Sequence, residues 1–223
     1  DMGTTIRGYA ATTDRSRGWL RYLYRKATTP DNWDKDGQPH PHWDGTSYEP
    51  RRSWHRFDLI DSSYAMGLMA DVTPAWREVY GTVLDELASR YTGYWAAKDW
   101  LDQIGEDPRR NQYPEEWHDL IPPFLLGKYD VPGWTANGVE PWGLQIDPIG
   151  ADGNLFYRGW FLVILGLHLY VTGDEKWNQP FDVTRDGDNT FTWTHSRIAE
   201  HLFQQMMARP EGCHCENTKI WPT

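Results

Sequence analysis

Cys213, His214 and Cys215 put three reactive side chains into the shortest stretch of this chain, at the point where a helical pattern stops at Arg209-Pro210. They include the only two cysteines among 223 residues. Cysteines separated by one residue make a strained bridge that staples nothing together, so their chemistry is that of thiols and not of a disulfide framework. A thiol acts as nucleophile, acid or weak base when its surroundings hold its pKa near neutrality, and His214 and Glu216 flank Cys215. An acid and an amide, Glu216 and Asn217, complete the group as substrate-binding candidates. A buried, inert cysteine is the structural alternative. A Cys-His-Cys metal site is disfavoured, because adjacent ligands strain a tetrahedral sphere and no second ligand cluster appears; no metal is expected.

Asp58 and Tyr64 form a second candidate pair. A carboxylate at a helix start with a further acid, Asp61, three residues on is the pattern of an N-cap with a supporting acid. In an apolar, aromatic setting the same Asp58 has a raised pKa and can exchange a proton with a substrate hydroxyl. The two readings pull the pKa in opposite directions. Phe156 and Trp160, four apart, share one helix face with Asn154 at its start, which suits either core packing or the lining of a pocket. His40 and His42 read as solvated loop residues. His195 and His201 are six apart and point to different helix faces, which argues against a helical zinc pair.

The elements that must position these residues are mostly helical. A polar entry leads to a helix ending near residue 28, with Trp19, Leu20, Tyr22, Leu23 and Tyr24 on an aromatic face. Residues 28–50 form a long irregular loop of the kind that covers a site or contacts another subunit. A helix runs from Phe57 to Val72. The pattern restarts at Thr73-Pro74, an N-cap candidate with proline at the first helical position, and keeps a 3.6-residue period through Leu87. Further helices are predicted over Tyr94 to Ile104 and Pro114 to Leu120, within long connections spanning 106–150. Asp152 to Thr172 is apolar on every side, the mark of a central buried helix. Alternation around 185–189 predicts a hairpin over Phe181 to Thr194, and a last helix runs to Ala208.

Composition narrows the partners. The net charge of −10 argues against nucleic acid and anionic membrane, both polyanions. The longest apolar run, about eleven residues, is too short to span a bilayer. No basic, apolar leader opens the chain, so a signal peptide is absent or already removed, and a cytoplasmic or periplasmic soluble protein fits. Fourteen Trp with 12 Tyr and 7 Phe supply more ring surface than a core needs and predict a deep aromatic cavity. About six helices with alternating short and long connections predict an all-α fold, an (α/α)6 barrel or toroid of helical hairpins with a small β-hairpin. Residues 1–223 then form one domain. Six helices are half of such a toroid, and the sequence reads as the first part of a longer domain.

Cys215-Glu216-Asn217, the Asp58 and Tyr64 pair, the Asn154-to-Trp160 stretch and the run Tyr170-Val171-Thr172-Gly173-Asp174 together resemble the linalool dehydratase/isomerase family. The likeness covers roughly residues 50–223. It implies an (α/α)6 barrel that binds an allylic terpene alcohol in a closed apolar cavity and adds or removes water without a cofactor. It also implies a homo-oligomer with sites near subunit contacts, which suits the 28–50 and 106–150 loops. By the resemblance Asp58 is the acid/base aspartate, Tyr64 the tyrosine that positions the hydroxyl, and Cys215 the first of two active-site cysteines, the second falling just beyond Thr223. Trp160 stands where the family carries a catalytic histidine, and an indole donates one hydrogen bond without shuttling a proton. The expected partner is a small apolar alcohol or alkene. The alternatives are a carbohydrate-active (α/α)6 hydrolase or lyase, using Asp58 with a second acid such as Asp61 or Asp147, and a terpenoid cyclase or binder on the same scaffold.

Overall fold

The computed structural model describes residues 8–29, 57–93, 139–140, 143–144, 147–150, 155–184, 190–208, 213–215 and 219–221. Most of them are helical. The first helix, α1 (Asp14–Thr28), opens where the Thr13 hydroxyl accepts the backbone N–H of Ser16. Asp14 in its first turn and Arg25 and Lys26 in its last complement the helix dipole. Leu20, Leu23 and Ala27 form its buried stripe.

Helices α2 (Phe57–Val72) and α3 (Arg77–Tyr91) are joined by a single 3-10 turn, Pro74–Trp76, and pack on each other. The expected N-cap at Thr73 is not made. Its hydroxyl turns back onto α2, donating to the Met69 carbonyl at 2.8 Å, and meets the Tyr80 hydroxyl at 2.6 Å. Thr73 therefore ties the two helices together where a cap would have served α3 alone. The 3.6-residue period holds along α3, which buries Tyr80, Val83, Leu84, Leu87, Ala88 and Tyr91.

The central helix is α4 (Leu155–Thr172), which packs along α3 and also meets α2 and α5 (His195–Ala208). Its apolar character on every side follows from these neighbours. Tyr157 and Phe161 stack on Tyr91 with centroids 5.4 and 5.5 Å away. Phe161 also meets Phe181 edge-on at 5.8 Å, and Phe181 in turn meets Trp177 at 5.1 Å.

The predicted hairpin is present as β3 (Phe181–Thr184) against β4 (Thr190–Trp193), antiparallel with Phe181 opposite Trp193. The Thr184 N–H donates to the Thr92 carbonyl at 3.0 Å, which fixes the hairpin to the end of α3. Two further antiparallel ladders, β1 (Val139–Glu140) with β2 (Gly143–Leu144) and β5 (Cys213–Cys215) with β6 (Lys219–Trp221), go beyond the single hairpin expected. The predicted helices at 94–104 and 114–120 and the loop over 30–50 lie outside the described residues. Among the described residues no helix is long and apolar enough to cross a membrane.

Candidate active site on the central helix

Tyr64 and Trp160 are brought together by the approach of α2 to α4. A Cβ on Gly67, one turn beyond Tyr64, would lie 2.7 Å from Leu167 Cδ2, which shows how closely the two helices approach there. The rings then meet edge to face, centroids 5.2 Å apart and planes at 62°. Tyr64 remains 50% exposed and Trp160 half-buried, so this contact is an aromatic wall and not a sealed core pair. Leu68, 73% exposed, continues the wall along α2.

The other predicted site residues fall around the same helix to different degrees. Asp58 is the second residue of α2. Asp61 is exposed. Phe156 is the second residue of α4. Cys215 closes strand β5, paired with Lys219, and β5 lies beside α4. Asn154, Glu216 and Asn217 lie outside the described residues.

Charged and polar groups gather at both ends of α4, among them His201 and Asp147, which the sequence offered, and Asp85, His168, Lys176 and Arg158, which it did not single out. At its C-terminal end, Asp85 of α3 accepts from Lys176 Nζ at 2.8 and 2.9 Å and from Trp177 Nε1 at 3.0 Å. His168 Nε2 stands 3.8 Å from the same carboxylate, while its Nδ1 has no hydrogen-bond partner. Burial pushes His168 below its ordinary value, opposed by Asp85 and Asp174. These groups face an open groove of about 560 Å³ between α3 and α4. Only a histidine inside an apolar run signalled this cluster, because Asp85 and Lys176 are far apart in sequence.

At the N-terminal end, the fully buried Arg158 donates to the Ile149 carbonyl and to Gln205 of α5. The His201 ring lies tilted against Trp193, centroids 5.4 Å apart, and the Trp193 indole donates to Asp147 at 3.2 Å. Burial, then the Arg158 charge, lowers the pKa of His201. Asp147 also accepts the Ile149 N–H at 2.9 Å, so this acid is engaged in holding the turn before α4. Among the described residues no three His, Cys, Asp or Glu side chains converge to hold a metal ion. An apolar hollow of about 460 Å³ lies away from these groups, between Tyr9–Thr12 and the Thr73–Trp76 turn. Its one charged lining residue, Arg17, is bound to Asp14 and to the Thr12 carbonyl.

Comparison with protein-family models, curated proteins and solved structures finds no match to this chain.

Proposed function

We propose that the chain is an alkenol hydro-lyase or isomerase that dehydrates or isomerises a small allylic, terpene-type alcohol without a cofactor. The observation that carries the reading is the half-open aromatic wall of Tyr64 and Trp160, on two helices that also bear Asp58 and Phe156, with the Cys215 strand alongside. Aromatic faces stabilise cationic carbon, which ionisation of an allylic alcohol generates. Asp58 or Cys215 protonates the leaving hydroxyl, which Tyr64 positions, and the other group removes the proton. Phe156 and Trp160 shelter the allyl cation, and Asn154, Glu216 and Asn217 contact the polar end of the substrate. With an indole at Trp160 in place of a histidine, this reading needs one proton carrier fewer than the linalool enzymes.

The scaffold proposed for this chemistry is an (α/α)6 toroid. The one-turn connection between α2 and α3 supports this reading, because such a fold is built from helices joined in pairs. Incubation of the purified protein with linalool, geraniol and shorter alkenols, followed by headspace analysis, tests the reading. Alkene or isomerised alcohol is expected from at least one of them, and none from any, with folded protein, sinks it.

A further inference from the structure

The apolar hollow of about 460 Å³ beside the Thr73–Trp76 turn shares no residue with the aromatic wall of Tyr64 and Trp160. Tyr9, Pro74, Ala75 and Trp76 give it a ring-bearing, apolar surface, and the Thr73 hydroxyl is spent on Met69 and Tyr80. A smaller hollow of about 230 Å³ is lined by Leu20, Arg21, Tyr24 and Val79. Arg17 and Trp76 line both, so the two adjoin. Arg17 and Arg21 are four residues apart and share one face of α1. Arg21 is exposed and makes no ion pair among the described residues. Arg17 pairs with Asp14, but their side chains are 44% and 97% exposed, and such a pair in water is worth little. Asp14 and the Thr12 carbonyl take only two of the five N–H donors of Arg17. No acid lines either hollow among the described residues, although the chain holds 32 Asp and Glu.

We propose that the joined hollows bind a small amphipathic organic anion. Its apolar body lies against Tyr9 and Trp76, and its carboxylate or phosphate head is held by Arg17 and Arg21. The space suits such a ligand, since small-molecule sites enclose roughly 300–1,000 Å³ of mostly apolar lining with a few polar groups. A guanidinium fork meets carboxylate and phosphate oxygens with two parallel hydrogen bonds, which gives the head a fixed orientation. A cation is repelled by both arginines, and a neutral body gains nothing from them. A polyanion is repelled by the chain as a whole, at −10, whereas a single small anion meets chiefly the charges within about 8 Å. The site is independent of the alkenol reaction and of the residues assigned to it.

Titration calorimetry of the whole chain with 1-naphthylacetate, 1-naphthyl phosphate and the uncharged 1-naphthylmethanol tests it. At least one of the two anions should bind about tenfold or more tightly than the alcohol, and the tighter of them assigns the head group. Arg21→Gln should weaken that anion about 3- to 10-fold and leave the alcohol unchanged, a split that a general loss of structure does not produce. Ala75→Trp, at an exposed position of the turn, fills the larger hollow and should abolish binding with the helical circular dichroism retained. An alcohol that binds as tightly as both anions overturns the proposal. So does an anion whose affinity survives both substitutions, and so does a wild type that binds neither anion at about 1 mM.

Discussion

Tyr157 shows how much one side chain does at the centre of this molecule. Its ring stacks on Tyr91 while its hydroxyl donates to the Tyr91 carbonyl at the end of α3. Tyr157→Phe keeps the stack and loses this buried hydrogen bond, so urea unfolding should show a loss of about 1 kcal/mol. Tyr64→Phe is the converse case, since Tyr64 is half-exposed and its hydroxyl serves the proposed reaction and not the fold. Turnover of the active alkenol should fall roughly 10- to 100-fold with an unchanged melting temperature, and Cys215→Ala should cost more, within the range of a lost acid or base. Normal turnover by both variants would remove these residues from the reaction. The candidates could be read from their types, but not their company. Tyr64 and Trp160 touch across 96 positions of sequence, and no local spacing encodes that contact.

Helices were legible where a face has a period, and misread where a side chain chose a partner across a turn. The buried positions of α3 follow the 3.6-residue pattern, and the alternation of 181–194 became a hairpin with Phe181 opposite Trp193. Thr73 looked like a cap because threonine before proline usually is one; here Tyr80 competes for its hydroxyl, a contact that propensity does not contain. Strand β5 was hidden because three residues are too few to show a period. The close approach of the helices makes its own prediction. Alanine for glycine inside a helix gains up to about 1 kcal/mol from propensity alone. At Gly81, however, a Cβ would overlap Thr172 Cγ2, and the Thr172 hydroxyl is held by the His168 carbonyl and the Asp174 N–H. That rotamer cannot turn away freely, so Gly81→Ala should destabilise by about 1–3 kcal/mol. At Gly67 the obstacle is the end of a flexible leucine, and Gly67→Ala should cost less. Equal urea midpoints for the two variants would contradict this account of how α4 is seated.

Three histidines link the whole fold to pH, and all of them bear on α4. His168 lies within it, His195 packs 3.6 Å from where a Cβ of Gly166 would be, and His201 sits beside Arg158. Burial lowers all three below the ordinary histidine value of about 6.5, with Asp85, Glu175 and Asp147 respectively among the acids that oppose the shift. A depressed folded pKa means that the unfolded chain takes up protons first as pH falls. Stability is therefore complete above about pH 6.5 and is lost as pH drops from there through the folded values. Carboxylates titrate near pH 4, below this window, so histidines carry the titration down to about pH 5.5. Thermal unfolding between about pH 7.5 and 5.5 should show the midpoint falling with acidification, with proton uptake of one to three per molecule on unfolding. The half-exposed His195 and His201 contribute less than His168, which is only 4% exposed, so His168→Gln should flatten most of the slope. A midpoint that rises on acidification would mean that the folded state holds these histidines charged, and that the acids around them outweigh burial.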